Sequence, residues 1–304
     1  MPLAPGEQKG CLAAVVDVLD YQDASSKLAT SQASEIPFLD TPVIEDYLSA
    51  MKHIDQVRTE FEKQASSFND SRHSIGSHEI MEWIIKTVQP SPTQSVLDVA
   101  AGTALLGRAL AKVVKKVTAL DATRAMLEVA RNAAAEEGLQ NVHFLNGEAD
   151  QIPFRNDEFD LVVSRLAVHH FLNPEAVISE MCRVCKSTGK VIIIDLLSPA
   201  ESGLQSRYNE LERMRDPSHT MALTEGQILQ AFNKVGGSAI VRDIKTVEVD
   251  FETWVKLTKT PHDVFEKIKH SLQLEMDGGE VTGFRPKLVN GSIKFYQRWA
   301  IFEA

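Results

Sequence analysis

The segment VLDVAAGTALLG, Val96 to Gly107, followed by a second apolar run, VTALD, that closes on Asp121, constrains this chain more than any other stretch. Val96, Leu97 and Val99 predict a short buried strand, and the apolar spacing after the turn predicts a helix over Ala104 to Lys112. Strand, glycine turn, helix and acidic strand end together make a nucleoside-binding α/β unit. Gly102 lets the backbone approach a ligand that a larger side chain would hold off, and Asp121 can offer two carboxylate oxygens to vicinal ribose hydroxyls. The expected ligand is an adenosine-containing cofactor.

One residue bears on which cofactor. In a dinucleotide fingerprint the middle glycine, where backbone meets pyrophosphate, is here Ala104, and the neighbouring Asp98 is a poor companion for a diphosphate. S-adenosylmethionine carries no phosphate and ends in a zwitterion, so it tolerates both residues. The segment resembles motif I of the class I S-adenosylmethionine-dependent methyltransferases, with Asp98, Ala100, Gly102 and Ala104 on its acid-x-Gly-x-Gly-x-Gly positions and two of the glycines replaced by alanine.

The 304 residues have room for one large α/β domain with cap segments, and no long uncharged span predicts a membrane helix. A formal net charge of −10 without a basic stripe argues against nucleic acid as a partner and for small neutral or cationic acceptors. Cys11, Cys182 and Cys185 are too few for a disulfide framework, which fits a reducing, cytoplasmic setting. The Cys182–Cys185 pair lies in the amphipathic run ISEMCRVCK with no second pair to complete a zinc site, and reads as core, so no metal is expected. Residues 1–40 are acidic, resemble neither a secretory signal nor a transit peptide, and read as an N-terminal extension with a loop or mobile segment at SSKLATSQAS. Residues 41–94 read as N-terminal helices and a lid, with a helix over Val43 to Gln64, and residues 95–304 as the cofactor-binding domain. Oligomeric state is left open.

From Ser77 strands and helices alternate. Helix Glu79 to Val88 precedes strands at Ser95 to Val99, Val117 to Asp121, Val142 to Asn146, Phe159 to Ser164, Lys190 to Leu196 and Ala239 to Val249. Helices at Arg124 to Glu137, after the Asn173–Pro174 cap and after the Thr224/Gln227 capping box fill the intervals, and Ser292 to Phe302 reads as a last strand. The expected fold class is α/β: a doubly wound, mainly parallel seven-stranded sheet with ligands outside the carboxyl ends of its strands. Leu204 to Arg215 and Phe251 to Leu274 read as helical caps over the cleft, within segments near 199–222 and 251–290.

Downstream segments extend the resemblance to about residues 57–302. NGEADQIPF resembles the family's loop after strand three, which implies that the Glu148 carboxylate receives the adenine amino group and that the Ala149 amide meets a ring nitrogen. FDLVVSRLAVHHF, the Glu180 and Arg183 helix and GKVIIID resemble motifs IV and V of the branch containing the ubiquinone and menaquinone biosynthesis C-methyltransferases. FEKQASSF, RLAVHHF and YNELERMRDPSH resemble a subgroup of uncharacterised small-molecule methyltransferases. The cofactor set this implies is Asp98, Ala100, Gly102, Asp121, Ala122, Met126, Glu148, Ala149 and Ser164, although a methionine such as Met126 is more often packing.

Methyl transfer needs few side chains, because the sulfonium already activates the methyl group; the protein aligns the acceptor, excludes water and, for an acidic acceptor, removes a proton. His169 and His170 follow strand four and are the candidate bases, against the plainer reading of a histidine that holds the strand–helix turn. His73, Arg165, Tyr208, Arg215 and His219 are secondary candidates for the acceptor side, each with a structural role as the plainer reading. The expected function is methyl transfer to a small molecule. The alternatives are an NAD(P)-dependent oxidoreductase, disfavoured by Ala104, and a methyltransferase-like partner subunit without catalysis. Adenine methylation of nucleic acid is disfavoured by SRLA at the end of strand four.

Overall fold

The computed structural model describes residues 41–65 and 77–304; the 1–40 extension and His73 lie outside the described residues. Residues 53–304 form one compact unit, and the first part of the leading helix, through Lys52, belongs to another. That helix, α1, spans Thr41–Gln64, and α2 spans His78–Val88. The alternating part follows as β1 Ser95–Val99, α3 Leu105–Ala111, β2 Lys116–Asp121, α4 Arg124–Glu136, β3 Val142–Asn146, β4 Phe159–Arg165, a 3-10 turn at Val168–His170, α5 Pro174–Val184 and β5 Cys185–Leu197. The carboxyl part adds α6 Ser202–Arg215, α7 Glu225–Lys234, β6 Ile240–Asp250, α8 Phe251–Leu257, α9 His262–Met276, β7 Lys287–Val289 and β8 Ser292–Glu303.

The strand order is β3-β2-β1-β4-β5-β8-β6, with β7 attached to β8 as an eighth strand. The five strands from β3 to β5 are parallel, whereas β8 runs antiparallel to both β5 and β6. The chirality of parallel crossovers places helices on both faces, so central strands must be apolar on both sides. They are: Leu161, Val163, Ile192 and Ile194 enter the core shared with α2, α3, α6 and α9, while Leu97, Val99, Val162 and Ile193 enter the core shared with α5 and α7. The period of two within VVS and VIII divides these runs between the two cores. Order reverses between β1 and β4, and the crevice beyond their carboxyl ends is where such a sheet receives a ligand.

Caps behave as their residues require. Asn173 accepts the Ala176 amide at 3.0 Å with Pro174 in the first turn, and Thr224 and Gln227 make both bonds of a capping box. Three expectations are corrected. The strand expected at Lys190 begins at Cys185, because β4 draws Phe159 into register with Cys185 across a bulge, so Cys185 leaves the helix. The single helical segment expected over Phe251 to Leu274 is two helices, α8 and α9, separated at Thr258–Pro261; Pro261 has no amide hydrogen to continue a helix and disfavours helical backbone before it. The last strand is preceded by β7, joined to it through Asn290 and Gly291, both at positive φ (51° and 82°) as a two-residue hairpin turn demands. No helix among the described residues is long and apolar enough to cross a membrane.

Candidate functional site

The turn after β1 is built on left-handed backbone. Ala100, Gly102 and Ala104 all have positive φ, between 53° and 57°, so two of the three left-handed positions are taken by alanine at a steric cost. The carboxyl ends of β1, β2 and β3 converge on this turn. Asp121 Oδ2 accepts the Gly102 amide at 2.7 Å, Asp121 Oδ1 accepts the Thr123 amide at 2.8 Å, and the Asp121 carbonyl accepts Gly147 N–H at 3.1 Å. The Thr123 side chain bonds to the same carboxylate, which as a carboxylate has about four acceptor sites in all. Burial raises the Asp121 pKa above its ordinary value against the pull of these amides.

Asp98 is tied into the same turn. Its Oδ2 accepts the Gly107 amide at 2.9 Å, and a Cβ placed on Gly107 would stand 2.8 Å from that oxygen, so glycine is required there. The first turn of α3 is thus met by a carboxylate of the protein itself. Burial, only partly offset by the Arg165 charge and the Gly107 amide, pushes the Asp98 pKa up to about 7. Between pH 3.8 and about 7 the folded chain therefore holds a proton that the unfolded chain releases, and stability declines as pH rises through that window. We expect Asp98→Asn to flatten this decline. Urea unfolding of both proteins at pH 4.5, 6 and 7.5 measures it, and parallel curves would refute the assignment.

The 147–154 loop is clamped from α5. Glu180 Oε2 accepts the Ile152 amide at 2.9 Å, and Arg183 donates to the carbonyls of Ile152 and Phe154 at 2.8 Å each. Glu148 at the head of this loop is half-buried and receives Arg58 Nη2 from α1 at 2.8 Å. Burial raises its pKa, opposed by the Arg58 charge. Ala149 packs against the α5-side core, Met126 is fully buried in α4, and Ala122 is half-buried at the end of β2. Ser164 Oγ at the end of β4 and Thr103 Oγ1 in the glycine turn are buried with no hydrogen-bond partner among the described residues.

Beyond β4 the 3-10 turn carries both histidines. His169 Nδ1 donates to Asp195 Oδ1 at 2.6 Å, and among the described residues its Nε2 makes no hydrogen bond. Burial disfavours the charged ring, but the field and hydrogen bond of Asp195, with the Glu212 charge, outweigh it and place the His169 pKa above its ordinary value. His170 differs. Its Nδ1 donates to the Ser218 carbonyl at 3.0 Å, its ring meets Phe61 edge-on at 5.0 Å, and burial beside His169 lowers its pKa to about 4.

The secondary candidates fall in the wall behind this turn. Arg215 reaches Glu212 at 3.2 Å and Asp216 at 3.9 Å and covers the Trp254 ring at 4.6 Å. Tyr208 is 1% exposed and stacks on Phe284 at 4.4 Å. His219 Nε2 donates to Asn209 Oδ1 at 2.7 Å; its Nδ1 is buried without a partner among the described residues, and burial holds its pKa far below the ordinary value. Arg165, half-buried, lies in the field of both Asp98 and Asp195, and burial lowers its pKa to about 10. Sequence reasoning missed Arg58, Thr103, Asp195 and Glu212. The Cys182 and Cys185 thiols are pushed up by burial, Cys185 to about 11, which makes both poor nucleophiles.

Residues 97–193 match the model of a methyltransferase domain family. An uncharacterised methyltransferase of Bacillus subtilis strain 168, YcgJ, is 32% identical over 209 residues, covering 67% of this chain and 81% of its own. Its crystal structure superposes with a TM-score of 0.69 at 29% identity over 75% of this chain and 97% of the other. A ubiquinone/menaquinone biosynthesis C-methyltransferase of Legionella pneumophila strain Paris is 29% identical over 169 residues, 54% of this chain and 67% of the relative.

The chain belongs to the class I S-adenosylmethionine-dependent methyltransferases. It is an enzyme of that family, and its cofactor is S-adenosylmethionine. The turn fits such a ligand: the first turn of α3 is answered by Asp98 rather than left open for a phosphate, and a Cβ on Gly102 would meet only open space.

Proposed function

We propose that this enzyme methylates a small-molecule acceptor by in-line displacement, and that His169 takes the acceptor's proton. The observation that carries this reading is the contrast within the histidine pair: His169 leaves Nε2 without a partner among the described residues, whereas His170 is engaged by Ser218 and held at low basicity. The bound cofactor supplies an electrophilic methyl group. Asp121 would receive the ribose hydroxyls, Gly102 and Ala100 would admit the ligand to the backbone, and the partnerless hydroxyls of Ser164 and Thr103 would meet its polar atoms. Asp98 keeps the turn in shape through Gly107, while Met126, Ala122 and Ala149 would line the base and ribose. Tyr208 and His219 are engaged by Phe284 and Asn209, and Arg215 by Glu212, from where its charge opposes protonation of His169.

The test is a screen of metabolite fractions with methyl-labelled S-adenosylmethionine, the labelled product being identified by mass. A labelled small molecule that is absent with heat-inactivated enzyme is expected. Label found only in nucleic acid or protein would overturn the reading.

Glu148 receives Arg58 at the position assigned to the adenine amino group, so a ligand would exchange one partner of this carboxylate for another or share it. Glu148→Gln retains an acceptor and should bind S-adenosylhomocysteine nearly as wild type does. Glu148→Ala should weaken it by roughly two- to twelvefold, the worth of one ordinary hydrogen bond. Calorimetry on both, with Arg58→Ala as control, measures the order; three equal affinities would place Glu148 outside the pocket.

A further inference from the structure

Parallel pairing of β4 with β5 brings two distant segments together. Ser164 and Arg165 lie in register with Ile193 and Ile194, so the turn that follows β4 meets the residue that follows Ile194, which is Asp195. This carboxylate is buried, 1% exposed, and fully engaged. Oδ2 accepts the amides of Val168 at 2.7 Å and His169 at 3.3 Å, while Oδ1 accepts Leu196 N–H at 2.7 Å and the His169 ring at 2.6 Å. One side chain therefore fixes both the backbone of the 3-10 turn and the orientation of the ring it presents.

We propose that Asp195 is the positioning residue for methyl transfer: by holding the proton of His169 on Nδ1 it leaves Nε2 bare to receive a proton from a weakly acidic X–H group of the acceptor. The inference rests on the role proposed for His169 and deepens it. A carboxylate accepts only, so a neutral ring facing it must present N–H at Nδ1, and its lone pair lies at Nε2. In the step so described the X–H proton passes to His169 Nε2, the X–CH3 bond forms as the S–CH3 bond breaks, and the S–C electron pair stays on sulfur. The imidazolium so formed lies against Asp195 and afterwards returns its proton to solvent. An acceptor nitrogen or sulfur with no hydrogen gains nothing from this arrangement, so the acceptor class is one that loses a proton.

The other groups facing the ring are His170 in the same turn, His219 after α6, and Glu212 and Arg215 on α6, with Arg165 in the field of Asp195. Glu212 adds negative charge and Arg215 opposes it, leaving Asp195 as the hydrogen-bonded partner of the ring.

The test uses the full chain with 15N-labelled histidine and saturating S-adenosylhomocysteine, so that no acceptor is needed. The His169 resonances, assigned by loss in His169→Gln, should show Nδ1 protonated and Nε2 bare in the neutral ring. In Asp195→Asn the titration midpoint of His169 should fall by roughly one to three pH units as the opposite charge is lost. A wild-type ring protonated on Nε2 with bare Nδ1 overturns the proposal, whether or not the variant folds. With the acceptor from the labelling screen, Asp195→Asn should slow single turnover by on the order of 10²- to 10⁴-fold, as loss of an orienting carboxylate does in other histidine bases. It should add nothing in a His169→Gln background. Additive losses would mean that Asp195 only supports the fold. A full rate in His169→Gln itself would instead refute the base role on which the proposal rests, a separate outcome from the tautomer readout.

Discussion

Replacing His169 by Gln is expected to lower the single-turnover rate of methyl transfer by roughly 10²- to 10⁴-fold while S-adenosylhomocysteine affinity is kept, because a base acts in the transition state and not on the bound cofactor. Replacing His170 should show mainly as lost stability, since its ring bonds to Ser218 and packs on Phe61. Dependence on pH separates the two further. His169 must be neutral to accept a proton, and its pKa is raised, so the wild-type rate should fall on the acid side with a midpoint above the ordinary histidine value of 6.5. His170, lowered to about 4, is neutral throughout that range and contributes no such limb. An unchanged rate and pH profile in His169→Gln would rule out the assignment and leave positioning alone to explain catalysis.

The second large effect is on binding. Asp121→Ala should weaken S-adenosylmethionine by about 1.5–3 kcal/mol, roughly 10- to 150-fold, for loss of hydrogen bonds to a charged acceptor. The same carboxylate also receives the Gly102 and Thr123 amides, so the variant should melt at a lower temperature as well. Calorimetric titration well below that melting point keeps affinity apart from unfolding. Wild-type affinity in a folded Asp121→Ala would remove this residue from the ribose site.

Local chemistry made most of the fold legible. The Asn173–Pro174 start, the Thr224–Gln227 box and the apolar run VIIID each encode a structure within a few residues, and each formed at the expected place. Asn290–Gly291 favours the β7 hairpin turn and Pro261 the break before α9, but neither segment carries a strong period against the aromatic and helical patterns around it. The site was legible only in part. Glycines, acids and histidines at strand ends are recognisable from spacing, whereas a partner such as Asp195, 26 residues from His169, becomes a neighbour only through the β4–β5 register. Arg58 and Glu148, 90 residues apart, meet only because the fold brings the part of α1 after Lys52 to the loop after β3. Neither pairing has a sequence signal of its own.

The histidine turn is also a fastening. The His169 carbonyl accepts the amides of Thr220 and Met221 at 2.8 and 3.1 Å, and the His170 carbonyl accepts His53 Nε2 and Thr220 Oγ1 at 2.7 and 3.0 Å. The segment after α6 thus cannot lift away without releasing the carbonyls of the histidine turn. The turn is held from two sides, by Asp195 of β5 through its amides and by the segment after α6 through its carbonyls. Deuterium exchange at the Thr220 and Met221 amides should therefore report how often the segment after α6 leaves the carbonyl of His169.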